Sequence, residues 1–90
     1  MANHASAAKR DRQSKVRRLR NRMNKSRMHT AIRHVEDAVA AGATEAAQEA
    51  LQKAAPIIQR TASKGTIHKN TAARKISRLT KRVNLMTAAA

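Results

Sequence analysis

The stretch that decides the fold is Val16-Arg-Arg-Leu-Arg-Asn-Arg-Met-Asn-Lys-Ser-Arg-Met-His-Thr-Ala-Ile-Arg-His-Val-Glu-Asp-Ala-Val39. It has no Gly or Pro and is rich in good helix formers, so it reads as one helix. Its apolar residues recur at helical spacing in two sets. Val16, Leu19 and Met23 form the first, and Met28, Ile32, Val35 and Val39 form the second. The step from Met23 to Met28 is five residues, which at about 100° per residue carries the stripe to nearly the opposite side. The two halves of this helix are therefore expected to face different partners.

Working outward, Ser6 is an expected N-cap and Gly42 an expected left-handed C-cap, giving a first helix from about Ser6 to Ala41, roughly 50 Å long. A second helix is expected from Thr44, as its N-cap, to Lys64, with Ala47, Ala50, Leu51, Ala54, Ile57, Ile58 and Thr61 on one face. Pro56 lies inside this pattern and removes one backbone hydrogen bond, which predicts a local kink. Gly65 ends it. A third helix is expected from an Asn70 cap to Met86, with Ala72, Ile76, Leu79, Val83 and Met86 spaced 4-3-4-3, and residues 87–90 fraying beyond it. Met23, Met28 and Met86 read as gap-filling core residues. The short loops make consecutive helices antiparallel neighbours. Helices two and three are long enough to cover only the C-terminal half of helix one. The fold class is all-α, a three-helix bundle (residues 26–86) with a long, projecting N-terminal helix whose basic arm spans residues 1–25 and lacks a protein partner.

Composition narrows the function. The 90 residues carry 20 Lys and Arg against 5 Asp and Glu, a formal net charge of +15. Such a charge on so small a body calls for a polyanionic partner. It is segregated, with a net +10 over residues 1–34, −2 over 35–60 and +7 over 61–90. There is no Cys, so disulfides and thiolate metal sites are excluded. There is no Phe, Trp or Tyr, so bases cannot be stacked on aromatic side chains. Recognition has to use phosphates, sugars and shape.

The expected contacts fall in two groups. The arm offers Lys9, Arg10, Arg12, Lys15, Arg17, Arg18, Arg20, Arg22 and Lys25, with Arg27 just beyond. These point in nearly every direction around the helix, which suits insertion between several RNA segments better than docking on one flat surface. Arg outnumbers Lys, and its planar fork pairs with phosphates in a bidentate manner. The second group is the basic face of helix three, Arg74, Lys75, Arg78, Lys81 and Arg82, with Lys64 at the end of helix two.

Other classes fare worse. His29 and His34 do not share a helix face, and no His-x-x-x-His pair exists, so a zinc site is not expected. Glu36 and Asp37 diverge on a helix and read as ion-pairing partners. No phosphate-cradling Gly loop is present, so neither an enzyme nor a cofactor is expected. A DNA-binding protein calls for a recognition helix or dimer elements, and neither is visible. A membrane-active helix sets many large apolar residues opposite its charge, but the arm has three. The Arg-rich, acid-poor N-terminus resembles a mitochondrial presequence, yet it runs straight into a folded-looking helix. No apolar run is long enough for a membrane span, and the expected location is the cytoplasm.

One stretch is also familiar. Ser63-Lys64-Gly65-Thr66-Ile67-His68-Lys69-Asn70-Thr71-Ala72-Ala73-Arg74-Lys75, continuing to Ser77-Arg78-Leu79, resembles the bacterial small-subunit ribosomal protein twenty family. So do Met1-Ala2-Asn3, Ser6-Ala7, Lys9-Arg10, Lys25-Ser26-Arg27 with Thr30, and Pro56-Ile57-Ile58. Ala43 departs from the family pattern, where an Asp cap is common. The resemblance implies a three-helix bundle with a long first helix. It also implies direct, early binding to 16S ribosomal RNA in the ribosome alongside other small-subunit components. No membrane, small-molecule substrate or homo-oligomer enters this picture. By carry-over, His68, Lys69, Asn70 and Arg74 are implied RNA contacts.

Overall fold

In a computed structural model the described residues are 2–89, with side chains described from Ser6 onward. Ala90 of the expected frayed tail and the His4 side chain lie outside the described residues. Three helices follow one another, α1 (Ala2–Ala40), α2 (Thr44–Ser63) and α3 (Lys69–Ala89). The described residues contain no strand.

The core is thin and rich in Ala. Met28, Ala31 and Val35 of α1 meet Ala47, Ala54 and Ile58 of α2, and Ala72, Leu79 and Val83 of α3 close the other side. Small side chains bring little apolar area, so the packing is confined to a narrow seam. α2 lies between the other two helices and packs against both, while α1 touches α3 only slightly. Asn24 lies beside Thr66, and Gln48 beside Thr87, which fixes the antiparallel order of successive helices. Thr61 is the buried polar residue, and its hydroxyl donates to the Ile57 carbonyl at 2.8 Å. Helix α2 runs through Pro56 as one element.

Both loops use the same device. Gly42 has φ +71° and Gly65 has φ +78°, the left-handed region that L side chains avoid. At the first loop, the Gly42 amide donates to the Val39 carbonyl and the Ala43 amide to the Ala38 carbonyl. At the second, the Gly65 amide donates to Ala62 and the Thr66 amide to Thr61. These are paired Schellman bonds, which satisfy the last carbonyls of each helix and reverse the chain within a few residues. No atom stands within 4 Å of a Cβ built at either glycine, so the requirement is one of backbone angle alone.

Several sequence expectations need correction. Helix α1 starts at Ala2 rather than near Ser6, because nothing in the Ala-rich run from Ala5 to Ala8 breaks the helix. Thr44 is not the N-cap of α2. Ala43 holds that position without a side-chain bond, since its carbonyl already accepts from the Ala47 amide. Nor is Asn70 the cap of α3. His68 precedes the helix, its carbonyl accepts from Ala72, and its Nδ1 accepts from the Asn70 amide at 3.1 Å. Helix α3 runs past Met86. The Thr87 hydroxyl donates to the Val83 carbonyl at 2.9 Å and accepts from Gln48 of α2 at 3.3 Å, so α3 continues to Ala89. Met23 is not a core residue, being 57% exposed, whereas Met28 is buried.

The division of α1 follows the change of stripe. Met28 and Val35 are buried, while Val16 and Leu19 are 55% and 58% exposed. At 39 residues α1 is about 58 Å long, and α2 and α3, at 20 and 21 residues, span about 30 Å each. The radius of gyration is 18.0 Å, against about 12 Å for a compact domain of this length. The difference is the projecting arm.

This packing predicts a sharp contrast between Leu19 and the two buried positions nine and sixteen residues further along the same helix. Met28→Asp or Val35→Asp buries an unpaired charge and should abolish the cooperative thermal transition. Leu19→Asp should leave the melting temperature within about 4 °C of wild type, as an exposed substitution does. Calorimetry or circular dichroism on the three variants measures both.

Candidate nucleic-acid interface

The arm places its cations along a helix surrounded by solvent. Lys9, Arg10, Arg12, Lys15, Arg17, Arg18, Arg20, Arg22, Lys25 and Arg27 are all exposed. The acid among them, Asp11, pairs with Lys15 at 3.2 Å, one helical turn away, and both side chains remain largely in water. Such a pair contributes little and leaves the strand of positive charge intact.

The root of the arm does have a protein partner. Asn24 Nδ2 donates to Thr66 Oγ1, which in turn donates to Asn21 Oδ1, both at 3.3 Å and half-buried. Both asparagines continue the buried face of α1 one and two turns beyond Met28. They dock the α2–α3 loop onto the helix. The partnerless part of the arm therefore ends near Arg20, not Lys25. The docking brings one member of the second basic group, Lys64, to the root of the arm. Lys64 shares a shallow depression with Arg27 and Asn24 of α1 and with Arg60 of α2.

Arg60 is absent from the sequence-based set. It sits in the stretch with net negative charge, which concealed it. The available signal was its spacing, one turn before Lys64 at the end of the same helix. Arg22, Arg27 and His34 also line a groove along α1, floored by Ala31 and Ile57.

His68, Lys69 and Asn70 are exposed at the first turn of α3, and Arg74 is exposed one turn on. Lys75 is half-buried, and Arg78, Lys81 and Arg82 are exposed. These last four line a groove between α3 and α1, with Ile32, Leu79 and Glu36. Arg82 Nη1 lies 3.5 Å from Glu36 Oε1 across that groove, so one cation of the second group already has an acid beside it. The two basic groups thus occupy different parts of the molecule, joined through the α2–α3 loop.

No three His, Cys, Asp or Glu side chains gather into a possible metal site among the described residues. None of the described helices is long and apolar enough to cross a membrane.

Comparison with known proteins places this geometry. The family model described as ribosomal protein S20 matches residues 2–84. This chain belongs to the ribosomal protein S20 family. A relative from Syntrophobacter fumaroxidans, named small ribosomal subunit protein bS20, is 55% identical over 86 residues, covering 96% of this chain and all of its own. Its namesake from Desulfotalea psychrophila is 54% identical over 89 residues, covering 99% of this chain and all of its own. A third, from Beijerinckia indica, is 51% identical over 86 residues. The S20 family is one of ribosomal proteins, not enzymes, and its match spans the arm and the bundle alike.

The cap of α3 gives a stability test. His68→Ala removes the side-chain bond to the Asn70 amide and should lower unfolding free energy by about 0.5–2 kcal/mol, the usual worth of an N-cap. Asn70→Ala should have a smaller effect. Urea denaturation of both variants distinguishes this assignment from an Asn70 cap.

Proposed function

We propose that this chain is a structural component of the bacterial small ribosomal subunit that binds 16S ribosomal RNA directly and helps assemble the subunit. Membership of the S20 family supplies the subunit and, with it, the cytoplasmic ribosome as the place of work. The observation that carries direct RNA binding is the arm itself. A helix extends beyond its bundle with exposed cations on every side and one already paired acid.

A folded domain gains nothing by holding so much like charge together in water. The arrangement becomes favourable when phosphates surround the helix and counterions are released. The whole chain acts as one RNA-binding domain, with residues 1–25 inserted between RNA segments and residues 26–86 holding the arm's root. His68, Lys69, Asn70 and Arg74 meet phosphate at the start of α3, where the helix dipole favours it. Arg78, Lys81 and Arg82 supply a separate contact, so the protein clamps RNA at two places. Recognition is by backbone and shape, since no aromatic side chain is available for stacking. The protein works as a single copy beside other small-subunit components.

The test is equilibrium binding to a 16S ribosomal RNA transcript over a range of salt. With about 10 phosphates neutralised, log affinity should fall against log salt with a slope of roughly −7 to −9. A slope near −2 would mean that the charge stays solvated and that the arm is not the main binding element.

A further inference from the structure

Val16, Leu19 and Met23 are large apolar side chains more than half exposed, gathered on one face of the arm. The only other exposed large apolar side chain among the described residues is Leu85, at the far end of the molecule. At about 100° per residue the three stand within an arc of about 60°, roughly 95° to 155° round the helix from the core face of Met28, Ala31 and Val35, and Met23 borders the groove over Ala31 and Ile57. None of the three is buried in the bundle.

Their surroundings are specific. Lys9, Arg20 and Arg27 form a row along one side of the stripe, and Lys15, Arg18 and Arg22 a row along the other. Arg12 stands in the stripe's own line one turn before Val16, and Ser26 one turn after Met23. Asp11 is the acid on this surface, and it is held by Lys15. The face is thus an apolar ridge between two cationic borders.

We infer that this ridge packs into the minor groove of an A-form RNA helix, against the sugar edges, with the two cationic rows reaching the phosphates of the two strands. The inference rests on the direct RNA binding proposed above and names the part of the RNA that this face takes. Charge complementarity selects the occupant. The minor groove of A-form RNA is wide and shallow, displays sugar edges and 2′-hydroxyls, and is bounded on both sides by phosphates. The major groove is deep and too narrow for side chains to read. A protein partner would need an apolar strip with acids along both margins. A membrane asks for a broader apolar face, at least about 100° wide, than three side chains supply.

An apolar contact and a phosphate contact leave different signatures. Losing a cation reduces counterion release, so the salt slope becomes shallower by about 1 per contact. Losing an apolar contact lowers affinity equally at every salt concentration. The experiment compares wild type, the combined variant Val16→Gln, Leu19→Gln, Met23→Gln, and the combined variant Arg18→Gln, Arg22→Gln, each against a 16S ribosomal RNA transcript. The ridge variant keeps helix-favouring residues at exposed positions and should melt as wild type does. Its affinity should fall about tenfold or more with the salt slope unchanged. The arginine variant should shift the slope by about 1.4 to 1.8. Peroxide oxidation of Met23 should slow several-fold in the binary complex with RNA.

Wild-type affinity in the ridge variant, or Met23 oxidised at the free rate in the complex, overturns the inference. So does protection of Met23 that arises only after other subunit proteins are added, since it assigns the ridge to a protein. Failure of the wild type to bind the transcript is a separate outcome and removes the direct-binding reading beneath it.

Discussion

The molecule depends on one narrow seam, Met28 and Val35 of α1 packed against Ala47, Ala54 and Ile58 of α2. It is the main apolar contact available to a chain whose core is thin and rich in Ala. Its length is set by α2, which turns back at Gly65 through a left-handed residue. Everything N-terminal to that turn on α1 is left outside. The arm is thus a consequence of unequal helix lengths joined by tight reversals.

That constraint separates two tasks along one continuous helix. The C-terminal half of α1 holds the fold together by burial. The N-terminal half carries charge that a compact core could not accommodate, because isolated buried charges are far too costly. Between them, Asn21 and Asn24 extend the packing face with polar groups and take the Thr66 hydroxyl. These bonds set the direction in which the arm leaves the bundle and bring Lys64 beside Arg27 and Arg60. The bundle serves as a mount for a charged rod.

Much of this was legible because helical periodicity is a strong signal and the chain has few interruptions. The five-residue step from Met23 to Met28 marked where burial ends, and the exposed Leu19 and buried Val35 bear it out. The two glycines marked both reversals. The caps were less legible. Asn70 is a good capping residue by type, but the Schellman turn at Gly65 uses up the loop and leaves His68 in the capping position. Thr44 lost its role in the same way, because Ala43 is reached first. Met23 was misjudged because a methionine is equally at home in a core or on a binding face. Arg60 was hidden by the acids that precede it, although its spacing sets it one turn before Lys64; only the folded chain puts both beside Arg27. Contacts between side chains far apart in sequence, such as Thr66 with Asn21, leave no periodic trace.

The arm, as proposed, works embedded in RNA. Without tertiary packing, a helix of this kind gains little stability in water. The most direct measurement is therefore amide hydrogen exchange, residue by residue, on the free protein and on its complex with 16S ribosomal RNA. Exchange should be fast over Lys9 to Arg20 in the free chain and slower over Met28 to Val39, with strong protection of the arm once RNA is bound. An arm that exchanges as fast in the complex as it does alone would contradict the proposal.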